Sequence, residues 1–234
     1  MKRFVPFFVI LAVAVITFAT GTWIYRAKMK AEVRAVAASA EQAKAAAASQ
    51  PLDSPEQKTP DSRYARGPAT APVTLEIYGD FQCPSCATTS GTIDELAKQY
   101  GGKMRVVFHE FPLQMHKHAV AAAMAAEAAG EQGHFWEMHD RLYQYQPVWS
   151  RVSDPNHFFN AYAQEIGLDP VRFNADLHST ELRSRLISSG NAGVRRGVKN
   201  TPTIFVNGVE LRGIFNENTL REAIDSALAA KGAS

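Results

Sequence analysis

The chain holds only two cysteines, and they stand together as Cys83-Pro84-Ser85-Cys86. Two thiols three positions apart can pass between the free and the disulfide-bonded state, and the attacking species in such exchange is the thiolate. An ordinary cysteine, with a pKa near 8.5, is only a few per cent ionised at pH 7. Placing Cys83 at the first turn of a helix sets its sulfur against unpaired backbone N–H groups and the positive end of the helix dipole, which favours the anion. One helical turn then brings Cys86 under Cys83. In this reading Cys83 is the nucleophile, Cys86 the resolving thiol, and Pro84 and Ser85 tune the balance between them. Lowering a thiol pKa by about three units stabilises the thiolate by roughly 4 kcal/mol. For a two-electron couple that is about 90 mV toward the stronger oxidant.

Other uses of the pair fit less well. A structural zinc site normally needs four Cys or His ligands, there is no second Cys pair, and the seven histidines include no H-x-x-x-H pair on a clearly helical stretch. A disulfide between residues three apart closes too small a loop to restrain much of the unfolded chain. The pair itself is the redox group, so neither an organic cofactor nor a metal is expected.

The elements around the pair read as strand, helix, strand. Residues 73–78 are a short β-prone run, and Ile93, Leu96, Ala97 and Tyr100 share one helical face that ends at Gly101-Gly102. Residues 104–108 are a second apolar strand, which makes a βαβ unit with the cysteines at the strand-to-helix turn. Residues 116–198 then carry helical signals and no convincing strand. Among them are an Ala-dense run at 119–129, an amphipathic stripe of Phe135, Met138, His139 and Leu142, and helix starts at Asp154-Pro155 and Asp169-Pro170. Strand chemistry returns at 203–206, where Asn207-Gly208 predicts a two-residue hairpin turn into 209–211, and a helix over 217–230 closes the chain. The expected fold class is α/β, a small mixed sheet with a helical block inserted in its middle.

Three further groups have an ordinary reading. His109 and Glu110 read as polar residues at a sheet edge, Arg195, Arg196 and Lys199 as a solvated helix end, and Phe135, Trp136 and Met138 as helical packing.

In front of this domain, expected over 71–234, stand two segments. Residues 4–25 carry no charge and suffice to cross a hydrocarbon core of about 30 Å, with Trp23 and Tyr25 where headgroups would lie. An anchor over 1–25 is expected; a cleaved signal peptide ending near Ala19-Thr20-Gly21 is the alternative. Arg26, Lys28, Lys30 and Arg34 outnumber Lys2 and Arg3, which by charge bias would keep the remainder inside, but long domains translocate largely regardless of loop charge. Residues 26–70 read as an Ala-rich helical stalk, roughly 35 Å long over 27–49 if helical, followed by a Pro-rich linker. The expected location is the inner membrane, single-pass, with the domain facing the periplasm; a soluble periplasmic form is the alternative. With a net charge of +2 and no interleaving of basic and aromatic residues, composition gives no reason to expect a nucleic-acid partner.

With these residues in hand, the chain resembles the DsbA-like branch of the thioredoxin superfamily over about 72–230. The resemblance rests on four blocks in order: Gly79 to Cys86, Phe111-Pro112-Leu113 before an Ala-rich helix, Gly133-His134-Phe135-Trp136-Glu137-Met138-His139-Asp140, and Thr201-Pro202-Thr203-Ile204-Phe205-Val206-Asn207-Gly208. It implies a thioredoxin-like sheet with a helical insertion and disulfide donation to reduced, newly exported proteins. It also implies reoxidation by a membrane redox partner. It further implies a cis bond between Thr201 and Pro202 beside Cys83, with the Thr201 backbone pairing to an extended client chain. In one respect the chain departs from that pattern. Many relatives carry a buried acid six residues before the first Cys, where this chain has Ile77, and Glu76 one position away belongs to the other face of the strand. Two rivals remain: the same fold running as a reductase or isomerase, and a tethered binding or chaperone module in which the pair only staples a helix end.

Overall fold

The structure, a computed structural model, describes residues 63–232. The expected anchor at 1–25 and all of the stalk and linker before residue 63 lie outside the described residues. Among the described residues, no helix is long and apolar enough to cross a membrane.

Five strands form one mixed sheet in the order β1-β3-β2-β4-β5. They are β1 (Ala65–Arg66), β2 (Val73–Gly79), β3 (Met104–Glu110), β4 (Thr203–Val206) and β5 (Val209–Leu211). Strands β2 and β3 run parallel, joined by helix α1 (Pro84–Tyr100), and the remaining pairs are antiparallel. Alternation decides the faces of the central strand β2. Val73, Leu75 and Ile77 enter the main apolar core, with Ile93 and Leu96 of α1 and Leu220 and Ile224 of the last helix, while Tyr78 joins a smaller cluster with Phe111, Val198 and Phe205. The β4–β5 turn is the expected hairpin, since Asn207 and Gly208 both take positive φ, 49° and 85°.

Between β3 and β4 lie six helices, α2 (Ala119–Gly130), α3 (Phe135–Gln144), the single turn α4 (Gln146–Trp149), α5 (Asn156–Glu165), α6 (Pro170–Asp176) and α7 (Thr180–Arg195), and α8 (Glu217–Gly232) ends the described chain. Helix α2 is alanine-rich because it is buried on nearly every side and touches α3, α5, α6 and α7. The Asp169 side chain caps α6 by accepting from the N–H groups of Val171 and Arg172. Helix α5 begins one residue later than its Asp154-Pro155 signal suggests, because Pro155 itself occupies the cap position. Helix α7 lies on the Tyr78 face of the sheet at Gly193, where a Cβ would come within 2.9 Å of Tyr78 and Phe111.

The linker reading extends through residue 70, but its last part packs on the domain. Ala65 and Arg66 pair with Val107 and Val106. Tyr64 is buried, stacks on Phe135 at 3.6 Å and donates to Glu127. A strand of two residues carries no periodicity, so the composition of the neighbouring linker masks it.

Candidate active site

Cys83 occupies the N-cap of α1 with extended backbone (φ −76°, ψ 119°), and Pro84 follows as the first helical residue, where its missing N–H costs nothing. Helix α1 thus starts at the cysteines. Both cysteines are buried free thiols. The Cys83 sulfur lies 3.1 Å from Ser85 Oγ and 3.4 Å from the carbonyl oxygen of Thr201. The Thr201–Pro202 bond is cis, as the resemblance implies. The loop before β4 therefore meets the start of α1, and Cys83, Pro84, Ser85, Cys86, Thr201 and Pro202 form one site.

These contacts separate the two thiols electrostatically. A hydrogen bond from the Cys86 side chain draws the Cys83 pKa down to about 4; burial opposes this, while the Ser85 and Thr201 hydroxyls and the Cys86 backbone N–H add to it. Cys86 is held well above the ordinary thiol range by its bond to the Cys83 sulfur and by burial. The Thr201 hydroxyl is buried without a hydrogen-bond partner among the described residues, and its position near the pair favours the anionic form of both sulfurs. One sulfur is thus an anion at neutral pH and its neighbour a thiol, the arrangement that exchange requires.

Residues that local sequence reading did not single out hold the turn in place. Asp80 is fully buried; Oδ1 accepts from the Gln82 N–H at 2.7 Å, and Oδ2 accepts from the Leu113 N–H and meets His116 Nδ1, both at 2.8 Å. Gln82 Oε1 accepts from the His118 N–H at 2.6 Å, and its Nε2 donates to Ser150 O at 3.3 Å. Gln146 Nε2 donates to the carbonyl oxygens of Phe81 and Cys83 at 2.7 and 2.9 Å. The Asp80–Gln82 contact is an Asx turn, which the residue types could have signalled. Gln146 carries no local signal, because its partners lie more than sixty residues away.

Glu76 belongs, as expected, to the face of β2 opposite Ile77, and there it has a structural partner. Arg196 binds it in two hydrogen bonds of 2.6 and 2.9 Å and lies 3.9 Å from the Phe205 ring centroid, which corrects the reading of Arg196 as a solvated helix end. Burial opposes ionisation of Glu76, but the His109 ring 3.6 Å away and the two bonds from Arg196 carry the pKa down to about 2. His109 and Glu110 are likewise not polar edge residues. Both are buried, because β1 and the helical insertion cover β3; His109 stacks on Tyr78 at 4.7 Å, and desolvation raises the Glu110 carboxyl well above its usual range. Among the described residues, no three His, Cys, Asp or Glu side chains converge so as to hold a metal ion.

The model of the thioredoxin family matches residues 58–226. In structure the chain is similar to BdbD of Bacillus subtilis, with a TM-score of 0.64 and 22% identity over 72% of this chain and 94% of that one. It is also similar to alpha-DsbA1 of Wolbachia pipientis, with a TM-score of 0.63 and 18% identity over 71% and 90%. At these identities the likeness speaks for the fold. In sequence it is 39% identical over 171 residues to a protein named Na(+)/H(+) antiporter NhaA 1 of Salinispora arenicola. That match takes in 73% of this chain and 25% of the other, so the chain spans about a quarter of the length of the curated relatives it matches. Matched by this family model over most of its length, and folded like the two structures just named, the chain belongs to the thioredoxin family.

Proposed function

We propose that the domain catalyses thiol-disulfide exchange and runs as an oxidase, donating the Cys83–Cys86 disulfide to reduced protein clients outside the cytoplasm. A client thiolate attacks the Cys83 sulfur, the Cys83–Cys86 bond breaks, and Cys86 leaves with the electron pair and takes up a proton. A second client thiolate then attacks the client sulfur of the mixed disulfide and expels Cys83 as a thiolate. Two electrons pass from client to enzyme, and a separate membrane redox partner removes them.

The observation that carries the direction is the depressed pKa of Cys83, supported by the Cys86, Ser85 and Thr201 side chains. A stabilised thiolate is a good leaving group and favours the reduced enzyme, which makes the disulfide a strong oxidant. A groove of about 340 Å³, lined by Thr201, Pro202, Leu211, Arg212 and Phe215, opens on the loop whose Thr201 carbonyl touches Cys83 and suits an extended client segment. A tether through residues 1–25 would keep the domain at the inner membrane, and the pair itself serves as the redox group.

Equilibrating the pair with glutathione tests the direction. A potential well above that of thioredoxin supports the oxidase; a value near thioredoxin's, about −270 mV, assigns the reductase or isomerase instead. Cys83→Ser tests the activity: catalysed disulfide formation in a reduced, unfolded substrate should vanish, whereas a binding module would be indifferent.

A further inference from the structure

Cys86 walls a narrow internal space of about 10 Å³, room for one water at most. Its other walls include Ile77 of β2, Asp94 of α1, His139 and Tyr143 of α3, and Pro202. Strand β2 therefore faces Cys86 with an apolar side chain. Helix α1 offers Asp94, whose carboxylate is taken by Arg66 of the edge strand at 3.0 Å.

Helix α1 also contributes Thr89 and Ser90, and helix α3 contributes Trp136, His139 and Tyr143. Tyr143 lines the same space as Cys86, its hydroxyl donates to the Asp80 carbonyl oxygen at 3.4 Å, and burial with the charges of Cys86, Asp80 and Cys83 keeps it a phenol. The His139 ring meets the Tyr143 ring edge-on, centroids 4.9 Å apart, and His139 Nδ1 lies 2.8 Å from Asp140 Oδ1. Asp140 is held in turn by Arg66 at 2.8 and 3.0 Å, and Arg66 lies over the Trp136 ring at 4.4 Å. Burial keeps the imidazole neutral against the pull of Asp140, with Arg66 on the same side as burial and Asp94 on that of Asp140. With Nδ1–H given to Asp140, Nε2 carries the lone pair.

Exchange obliges Cys86 to change protonation in every cycle, a thiol in the reduced enzyme and a thiolate whenever its bond to Cys83 forms or breaks. We propose that Tyr143 and His139, which line one small space with Cys86, form its proton route, the tyrosine hydroxyl bordering the sulfur and the imidazole taking or returning the proton directly or through one water. The proposal rests on the exchange reading above. When Cys86 attacks a mixed disulfide, the Cys86–Cys83 bond forms, the Cys83–client bond breaks, and the client leaves as a thiolate with the electron pair. The Cys86 proton passes to His139, where Asp140 balances the imidazolium, and then to solvent through the partly exposed Asp140. In the donating direction each transfer runs backwards.

The test mixes the reduced full-length chain with glutathione disulfide and follows two rates between pH 5 and 9, formation of the Cys83–glutathione adduct and its resolution by Cys86. His139→Gln and Tyr143→Phe should each slow resolution about tenfold or more at pH 7 while leaving adduct formation and the Cys83 alkylation midpoint in place. In His139→Gln the resolving rate should climb about tenfold per pH unit where the parent has levelled, because Cys86 must then lose its proton to solvent. Resolution within twofold of the parent, with an unchanged pH profile, overturns the route. Should His139→Gln fail to fold, Tyr143→Phe, which keeps the ring in place, decides by the same criterion. A parent that forms no adduct at all refutes the exchange reading itself, a distinct outcome.

Discussion

The side-chain amide of Gln146 donates to the carbonyl oxygen of Cys83 at 2.9 Å, so the helical insertion grips the backbone of the redox turn directly. The same nitrogen serves Phe81, and with Gln82 reaching His118 and Ser150 the turn is tied to the insertion at both ends. The site is therefore a joint product of the loop before β4, which supplies Thr201 and Pro202, and of helices that come from distant sequence.

Gln146→Ala removes that grip and leaves two carbonyl groups without this donor. Urea unfolding should show a loss of about 1–3 kcal/mol, the range for an unsatisfied buried polar group. An unchanged midpoint would show that the turn is held by α1 alone.

Ser85→Ala removes the hydroxyl 3.1 Å from the Cys83 sulfur. A hydrogen bond to a charged group contributes about 1.5–3 kcal/mol, and 1.4 kcal/mol corresponds to one pH unit. The Cys83 titration midpoint should rise by about one pH unit or more, and the glutathione equilibrium should move toward a weaker oxidant.

Much of the fold was legible because periodicity, caps and turn residues act locally. Val73 to Gly79, Asp169-Pro170 and Asn207-Gly208 each announced their element, and Cys83 and Cys86 announced the site. What escaped was set by tertiary partners. Glu76 and Arg196 are 120 residues apart, so the strand acid had no visible partner and the arginine looked like a solvated helix end until the fold paired them. The strand at Ala65–Arg66 exists only because β3 offers it an edge. His139 looked like part of the stripe of an amphipathic helix and Tyr143 carried no signal, and only the packing of α3 against Cys86 gives them a chemical neighbour.

Arg196→Met should cost about 3–5 kcal/mol, because it leaves the buried Glu76 carboxylate uncompensated. Glu76 is held at about 2, below its unfolded value, so the stability it contributes is fully present above pH 4.5 and disappears as pH falls through 2. Glu76→Gln should remove that acid-side dependence in a denaturation series. A series in which the substituted and parent chains keep the same dependence would contradict the pairing.

The reduced and oxidised forms should differ in their pH dependence. Cys83 in the folded reduced form titrates near 4 and in the unfolded chain near 9, so between those values the unfolded chain binds more protons. The stability of the reduced form should rise with pH across that window by at most about 1.4 kcal/mol per pH unit and be flat in this respect below pH 4. The oxidised form has no thiol to titrate and should lack the slope; parallel profiles would count against a depressed pKa.

The most direct measurement is alkylation of the reduced chain by iodoacetamide across pH 2.5 to 10, with the labelled cysteine identified by mass. The account predicts that Cys83 labels with a midpoint near 4 and that Cys86 stays unreactive through neutral pH. A Cys83 midpoint near 9, like that of a free thiol, would contradict it.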